Sequence, residues 1–297
     1  MACTVALLAG IGTAGTASAA APSFQVRDFT LDGKEDLGVR TEGGALVVHP
    51  HSGRFDGTKT LKNGVPINYG WSRSAWISAA DFTGDGNADV IEWEYLGGNI
   101  RMYPHSGHFD GTNTLGPREV NFTDSNRDHR FFARDFTGDG LADLLVLEGD
   151  GNLYLMRNTG RYGNQRFAPV ERIGTGFGGA DWIDAADLNG DGRPEVLARW
   201  ADRVFAFEQF NGGYTGLTGP RPGPVTGVTD FGGGWSGSSI ALKDMTLDGR
   251  PDLVLLGSDA RRVLTVHANQ GGLSPRTFGD SAGGTVISEY ADANLMF

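Results

Sequence analysis

Beyond residue 21 the chain breaks into short runs of apolar or alternating residues, each bounded by Gly, Asp, Asn or Ser. One set reads Ala45-Leu-Val-Val48, Ile100-Arg-Met-Tyr103, Leu153-Tyr-Leu-Met156, Val204-Phe-Ala-Phe207 and Val263-Leu-Thr-Val266. Another is Val90-Ile-Glu-Trp-Glu-Tyr95, Leu144-Leu-Val-Leu147 and Leu253-Val-Leu-Leu256. Runs of four to six residues, rich in β-branched and aromatic side chains and closed by turn formers, predict β-strands. Gly makes up 47 of 297 residues, about twice its usual share, so a protein of long helices is excluded and a chain of tight turns is expected.

The strands recur with a period. A nine-residue acidic pattern appears at Asp28–Asp36, Asp81–Asp89, Asp135–Asp143, Asp187–Glu195 and Asp244–Asp252, its starts 53, 54, 52 and 57 residues apart. Each repeat reads as four strands. The first leads into the acidic loop and the second leaves it, a Gly or Asp turn follows, the third ends at a polar residue plus Gly, and a less regular fourth completes the unit. A constant period in this range, filled by strands, predicts an all-β fold: a five-bladed β-propeller of four-stranded antiparallel blades with a calcium loop in each blade. Residues 22–297 form this single domain at roughly 55 per blade. Pro22–Arg27 is expected to supply the first strand of blade one and Thr285–Glu289 the last strand of blade five.

Residues 1–21 differ in composition. An apolar stretch from Val5 to Ile11 precedes a small-residue tract ending in Ala17-Ser18-Ala19, which predicts a secretory signal peptide cleaved near Ala19 and hence a secreted, extracellular protein. The one cysteine, Cys3, falls in this leader, so disulfides and thiolate chemistry drop out of the mature chain. The formal charge of −11 argues against a phosphate-backbone partner and therefore against nucleic acid, and no apolar run is long enough for a membrane span.

The acidic loops carry the clearest chemistry. Positions one, three, five and nine offer side-chain oxygens, position seven offers its carbonyl, and position six is always Gly. Such hard oxygen donors suit Ca²⁺, with up to five ions. The candidate ligands are Asp28, Thr30, Asp32, Lys34 and Asp36; Asp81, Thr83, Asp85, Asn87 and Asp89; Asp135, Thr137, Asp139, Leu141 and Asp143; Asp187, Asn189, Asp191, Arg193 and Glu195; and Asp244, Thr246, Asp248, Arg250 and Asp252. Five ions would bring the formal charge from −11 to about −1. Plain Asp/Gly turns are the alternative.

The runs Asp81-Phe-Thr-Gly-Asp-Gly-Asn-Ala-Asp-Val90 and Asp135-Phe-Thr-Gly-Asp-Gly-Leu-Ala-Asp-Leu144, at this spacing, resemble FG-GAP or VCBS repeats, the integrin-type propeller unit. The resemblance covers nearly all of the mature chain. It implies a Ca²⁺ loop between the first two strands of each blade, and a family that includes secreted bacterial proteins, adhesion receptors and fungal propeller lectins. Glu195 in place of the last Asp, and Leu31 and Leu247 in place of the common Gly, depart from the pattern.

In a propeller the interblade connections lie on the face opposite the acidic loops. Three of them carry a Gly-aromatic pair, Gly70-Trp71, Gly176-Phe177 and Gly234-Trp235; the exit of blade two reads Asp124-Ser-Asn-Arg-Asp128 instead. Trp71, Phe177 and Trp235 are either platforms on which a sugar stacks or wedges between blades. The pair His49 and His51 lacks a third zinc ligand, Glu148 and Asp150 lie in an acidic turn, and no GxSxG, HExxH or phosphate-cradling loop occurs. The chain therefore reads as a non-enzymatic binding module, lectin-like with a glycan as partner. A protein-interaction scaffold is the alternative, followed by a carbohydrate-active enzyme.

Overall fold

The short apolar runs pair with their neighbours in chain order, as strands joined by tight turns must. The structure is a computed structural model that describes residues 27–124, 126, 128–208, 217–219, 227–237, 239–279, 284–289 and 293–297. The signal-peptide expectation lies outside the described residues.

Blade one is built on β1 (Leu37–Thr41), β2 (Leu46–His49) and β3 (Val65–Asn68). Blade two has β4 (Ser74–Ala80), β5 (Asp89–Glu94), β6 (Asn99–Tyr103) and β7 (Glu119–Thr123). Blade three has β8 (Arg130–Arg134), β9 (Asp143–Leu147), β10 (Leu153–Met156) and β11 (Glu171–Thr175). Blade four has β12 (Ala180–Ala186), β13 (Glu195–Trp200), β14 (Arg203–Phe207) and, after β15 (Leu217–Thr218), β16 (Val228–Asp230). Blade five has β17 (Ser239–Lys243), β18 (Asp252–Leu256), β19 (Val263–His267) and β20 (Thr285–Glu289), and β21 (Ala293–Met296) follows. Within every blade consecutive strands pair antiparallel, which is the five-bladed propeller expected from the repeat.

Two features depart from expectation. Along β1 the inner edge of blade one is held by the other end of the chain. There β21 pairs antiparallel with β1, Val39 opposite Met296, and Phe297 and Gly38 exchange backbone hydrogen bonds of 2.9 and 3.2 Å. Arg27 then takes over in the same file, its carbonyl accepting the Asp36 amide at 3.0 Å; residues 22–26 lie outside the described residues. A strand from the far end of the chain thus closes the ring, so that blades five and one share one chain segment. The second feature is β15, which leaves blade four to pair in parallel with β11, giving blade three a fifth strand.

The core is divided by junction. Each of five buried clusters draws on two adjacent blades, as when Leu145, Leu155 and Phe177 meet Val196, Ala198 and Phe207 between blades three and four. Strands buried on both faces explain the continuous apolar runs. Polar latches add to this. The carbonyl of the second loop residue receives a side chain from the next blade: Phe29 from His105 Nε2 (3.1 Å), Phe82 from Asn158 Nδ2 (2.9 Å), Met245 from His51 Nε2 (3.1 Å). The duplicated His-Ser-Gly segments are therefore interblade ties, and burial holds both imidazoles below their ordinary pKa. Among the described residues no helix is long and apolar enough to cross a membrane.

Candidate functional site

Each acidic loop is organised by its first and ninth residues. The Asp81 carboxylate accepts amides from Gly84, Asp85 and Gly86 at 2.6–3.2 Å, and Asp135 does the same with Gly138, Asp139 and Gly140. Gly86 and Gly140 stand at φ 83° and 89°, the left-handed region that a side chain disfavours. The ninth carboxylate, fully buried, is a clamp. Asp89 accepts Phe82 and Thr83 on one oxygen and, on the other, the amide of His105 beyond β6 at 2.7 Å; Asp36, Asp143 and Asp252 repeat the geometry. Burial pushes Asp36 and Asp252 up to about 6, and Asp89, Asp143 and Glu195 up to about 7, against the stabilising pull of the amides.

This donor set was tested against Ca²⁺. Among the described residues no three acidic, His or Cys side chains converge as a ready metal cage. In loop one Lys34 pairs with Asp32 at 3.0 Å, and in loop five Arg250 pairs with Asp248 at 3.4 Å, both at the surface, so a basic side chain stands beside the fifth-position carboxylate. Arg193 brings a positive charge to loop four. In these three loops an ion would share the site with a basic side chain. Loops two and three, with Asn87 and Leu141 at that position, keep oxygen donors without a competing cation. A pocket of about 250 Å³ opens on this face among the loops of blades three to five, lined by glycines, Leu188 and Pro194 with Arg134, Asn189 and Arg250, and by Asp135 and Asp187, which are tied to loop amides.

At the axis the residue before each loop points inward: Arg27, Arg134 and Lys243 from blades one, three and five, and Ala80 and Ala186 from the others. Arg134 pairs with Asp184 at 2.9 Å and donates to the Leu242 carbonyl, Arg27 lies 3.8 Å from the same carboxylate, and Lys243 donates to the Asp36 carbonyl at 2.9 Å. Glu35 is buried among them with both oxygens unpartnered; burial raises its pKa and lowers that of Lys243 to about 7. Asp184 is thus engaged by two arginines, while Glu35 stands buried beside them without a hydrogen-bond partner. Position-by-position comparison of the loops omits this cluster, because its members precede the loop or, like Glu35, occupy the eighth position where the other repeats have Ala or Pro.

The interblade connections give the clearest correction. Trp71, Phe177 and Trp235 are only 3%, 0% and 1% exposed, so none offers a face to a ligand. All three are wedges of one design. The backbone amide of each donates to the turn between the second and third strands of the preceding blade, at the carbonyl of Gly44, Gly151 or Asp202. Each ring then meets the residue ending the third strand of the next blade: Trp71 on Tyr103 (centroids 4.7 Å apart), Phe177 on Phe207 (5.2 Å) and Trp235 on His267 (5.0 Å).

Between blades two and three the same amide position belongs to Asp124, which donates to the Gly98 carbonyl at 2.7 Å. No ring follows. A cavity of about 210 Å³ occupies the place, walled by Phe122, Tyr154, Met156 and Val170. Its polar side is Asp124, His129 and Glu148: Asp124 Oδ2 lies 2.6 Å from His129 Nδ1, and Glu148 Oε1 lies 3.6 Å from His129 Nε2. The sequence signal was the missing Gly-aromatic pair at Asp124-Ser-Asn-Arg-Asp128.

Comparison with known proteins agrees with this architecture. The FG-GAP-like repeat matches residues 135–198. The chain carries an FG-GAP-like repeat. No curated protein matches in sequence. Among solved structures, a protein from work on the de novo evolutionary emergence of a symmetrical protein is 13% identical, with a TM-score of 0.56, over 88% of this chain and 97% of that one, and it shares the fold. A lectin of Agrocybe aegerita, described as recognising non-reducing terminal N-acetylglucosamine, is 21% identical with a TM-score of 0.48, over 91% of this chain and 66% of its own. The chain thus spans just under two thirds of the lectin.

Proposed function

We propose that the protein is a secreted binding module that recognises carbohydrate, with the cavity between blades two and three as its site. One observation carries the reading: a concave space at a blade junction, lined by aromatic and apolar side chains with a few convergent polar groups at its edge. A sugar ring requires this composition, an apolar wall against its C–H face and hydrogen-bonding groups for its hydroxyls. The volume, that of about seven waters, suits one ring rather than a chain. The secreted location rests on the leader.

A glycan array probed with the full chain tests this. Binding that disappears in Tyr154→Ala, with the melting temperature unchanged, is expected. A blank array together with tight binding to a protein partner would replace the reading by a scaffold. Calcium is proposed for loops two and three only, where the ion would be held by Asp81, Asp85 and Asp89 or by Asp135, Asp139 and Asp143 and would supply a positive charge. Metal counting on protein equilibrated with Ca²⁺ and washed should find at most two ions, and five would show that the basic side chains yield.

A further inference from the structure

We propose that a cavity on the propeller axis, opening on the face opposite the acidic loops, is a binding site of its own for a small organic monocarboxylate, whose apolar body lies against an aromatic wall and whose carboxylate meets Arg27. The proposal is independent of the cavity between blades two and three. It begins with a buried donor that the fold leaves unused. Arg27 is 4% exposed and its Nε has no partner. Among the described residues its guanidinium forms no hydrogen bond, and the carboxylate beside it, Asp184, stands 3.8 Å away. A guanidinium carries five donors, and burying them unmet costs folding free energy. The missing partner is a group with acceptor oxygens.

The neighbouring charges are already matched. Arg134 holds Asp184 through Nε at 2.9 Å and Nη2 at 3.3 Å, and the same carboxylate accepts the amides of Ala185 at 2.9 Å and Leu242 at 3.4 Å. At the mouth Arg199 grips Asp181 at 2.8 and 3.1 Å. Glu35 lies outside the cavity walls, and the cation acting on it most is Lys243. The Phe297 carbonyl, on the wall, accepts the Gly38 amide at 3.2 Å. Of the charged side chains lining the cavity, Arg27 is therefore the one without a hydrogen-bonded partner among the described residues. Burial, helped by the Arg134 charge, lowers its pKa only to about 10, so it stays a cation at neutral pH.

The walls set the rest of the ligand. They come from β4, β8, β12, β17 and β21, each of which is the edge strand of its sheet on the axis, and they carry Trp76, Phe132, Trp182, Ile240 and Met296. The cavity measures about 180 Å³, the space of about six waters, which suits one ring with a short acid arm. Arg27 and Asp184 are buried at its floor, whereas Asp181 at the mouth is 44% exposed. An apolar wall above a single unengaged guanidinium fork fits a monoanion with an apolar body. A dianion such as phosphate would need a second free cation beside Asp184, and a neutral amide would forgo the charge-assisted pair.

The test is calorimetric titration of the full chain with phenylacetate and with its neutral counterpart phenylacetamide at a pH of about 7, where a carboxylic acid is ionised. Phenylacetate should bind about tenfold more tightly or better, since the charge-assisted contact is the stronger one. Arg27→Met should abolish that preference and leave the melting temperature unchanged or higher, because it removes a buried cation that no hydrogen bond compensates. Arg27→Lys, which keeps the charge without the fork, should restore part of the preference. Should Arg27→Met fail to fold, Ser78→Phe fills the cavity from β4 and should remove binding of both probes. Equal affinities for the two probes would overturn the choice of a carboxylate. Phenylacetate binding that survives Arg27→Met or Ser78→Phe at full strength would overturn the site, and binding of neither probe to the unaltered chain would overturn the proposal as a whole.

Discussion

Asp143 shows how one side chain holds two loops together. Its oxygens take the amides of Phe136 and Thr137 at 3.1 Å and of Asn158 at 2.7 Å, joining the acidic loop to the turn beyond β10. Asp143→Ala would leave these largely buried donors unmet, and because each such group costs about 1–3 kcal/mol, a loss of roughly 3 kcal/mol or more is expected in denaturant titration. Asp143→Asn, which keeps one acceptor oxygen, should lose less. A second residue-scale prediction concerns the fourth loop position, which is left-handed in every loop. Gly fills it three times, while Leu31 and Leu247 adopt φ 63° and 61°. Leu247→Gly is expected to leave stability unchanged or raise it by up to about 1 kcal/mol, whereas Gly86→Ala, at φ 83°, should cost about 1 kcal/mol or more. Comparing the two midpoints decides whether backbone strain governs these positions.

At the scale of elements, blades meet through wedges and latches, joined between blades three and four by the pairing of β15 with β11. Trp235 fills the junction between blades four and five, with its indole N–H on the Phe231 carbonyl at 3.1 Å and its ring against His267 and Phe278. Trp235→Ala should therefore cost about 3–5 kcal/mol, as truncations of large buried rings do. Phe122→Ala, lining the cavity one junction earlier, should cost less, since that junction is already open on one side. Thermal melts of the two variants side by side check the contrast. The recurrence of Gly-aromatic pairs was legible in the sequence. Their burial was not, because a ring at a turn can face either solvent or the next blade, and the choice is made by a strand more than twenty residues away, as when Trp71 meets Tyr103.

For the whole molecule, closure is the decisive event. The inner position of blade one is filled by β21, and Phe297, 2% exposed, packs against Phe29 with ring centroids 6.3 Å apart; a Cβ on Gly38 would collide with the Phe297 ring. Phe297→Ala should lower stability by about 3–5 kcal/mol. Because each blade is buried only by its neighbours, loosening this seam exposes blades one and five together. A single calorimetric transition at reduced temperature is expected, and two separate transitions would mean that the blades unfold independently.

Local chemistry by itself determined the all-β class, the count of five blades, the acidic loops with their left-handed glycines, and the outer strand Thr285–Glu289. These follow from periodicity and turn stereochemistry, which act over a few residues. Tertiary structure alone decided that Ala293–Met296 pairs with β1, since a strand edge finds its partner only when the two ends of the chain are brought together. It also decided that Trp71, Phe177 and Trp235 are buried wedges, that His51 and His105 tie blades together, and that Arg27, Glu35, Arg134, Asp184 and Lys243, as many as 216 residues apart in the chain, meet on the axis. The cavity at Asp124 belongs to both levels. The missing ring is visible in the sequence, but an empty space exists only where packed neighbours surround it.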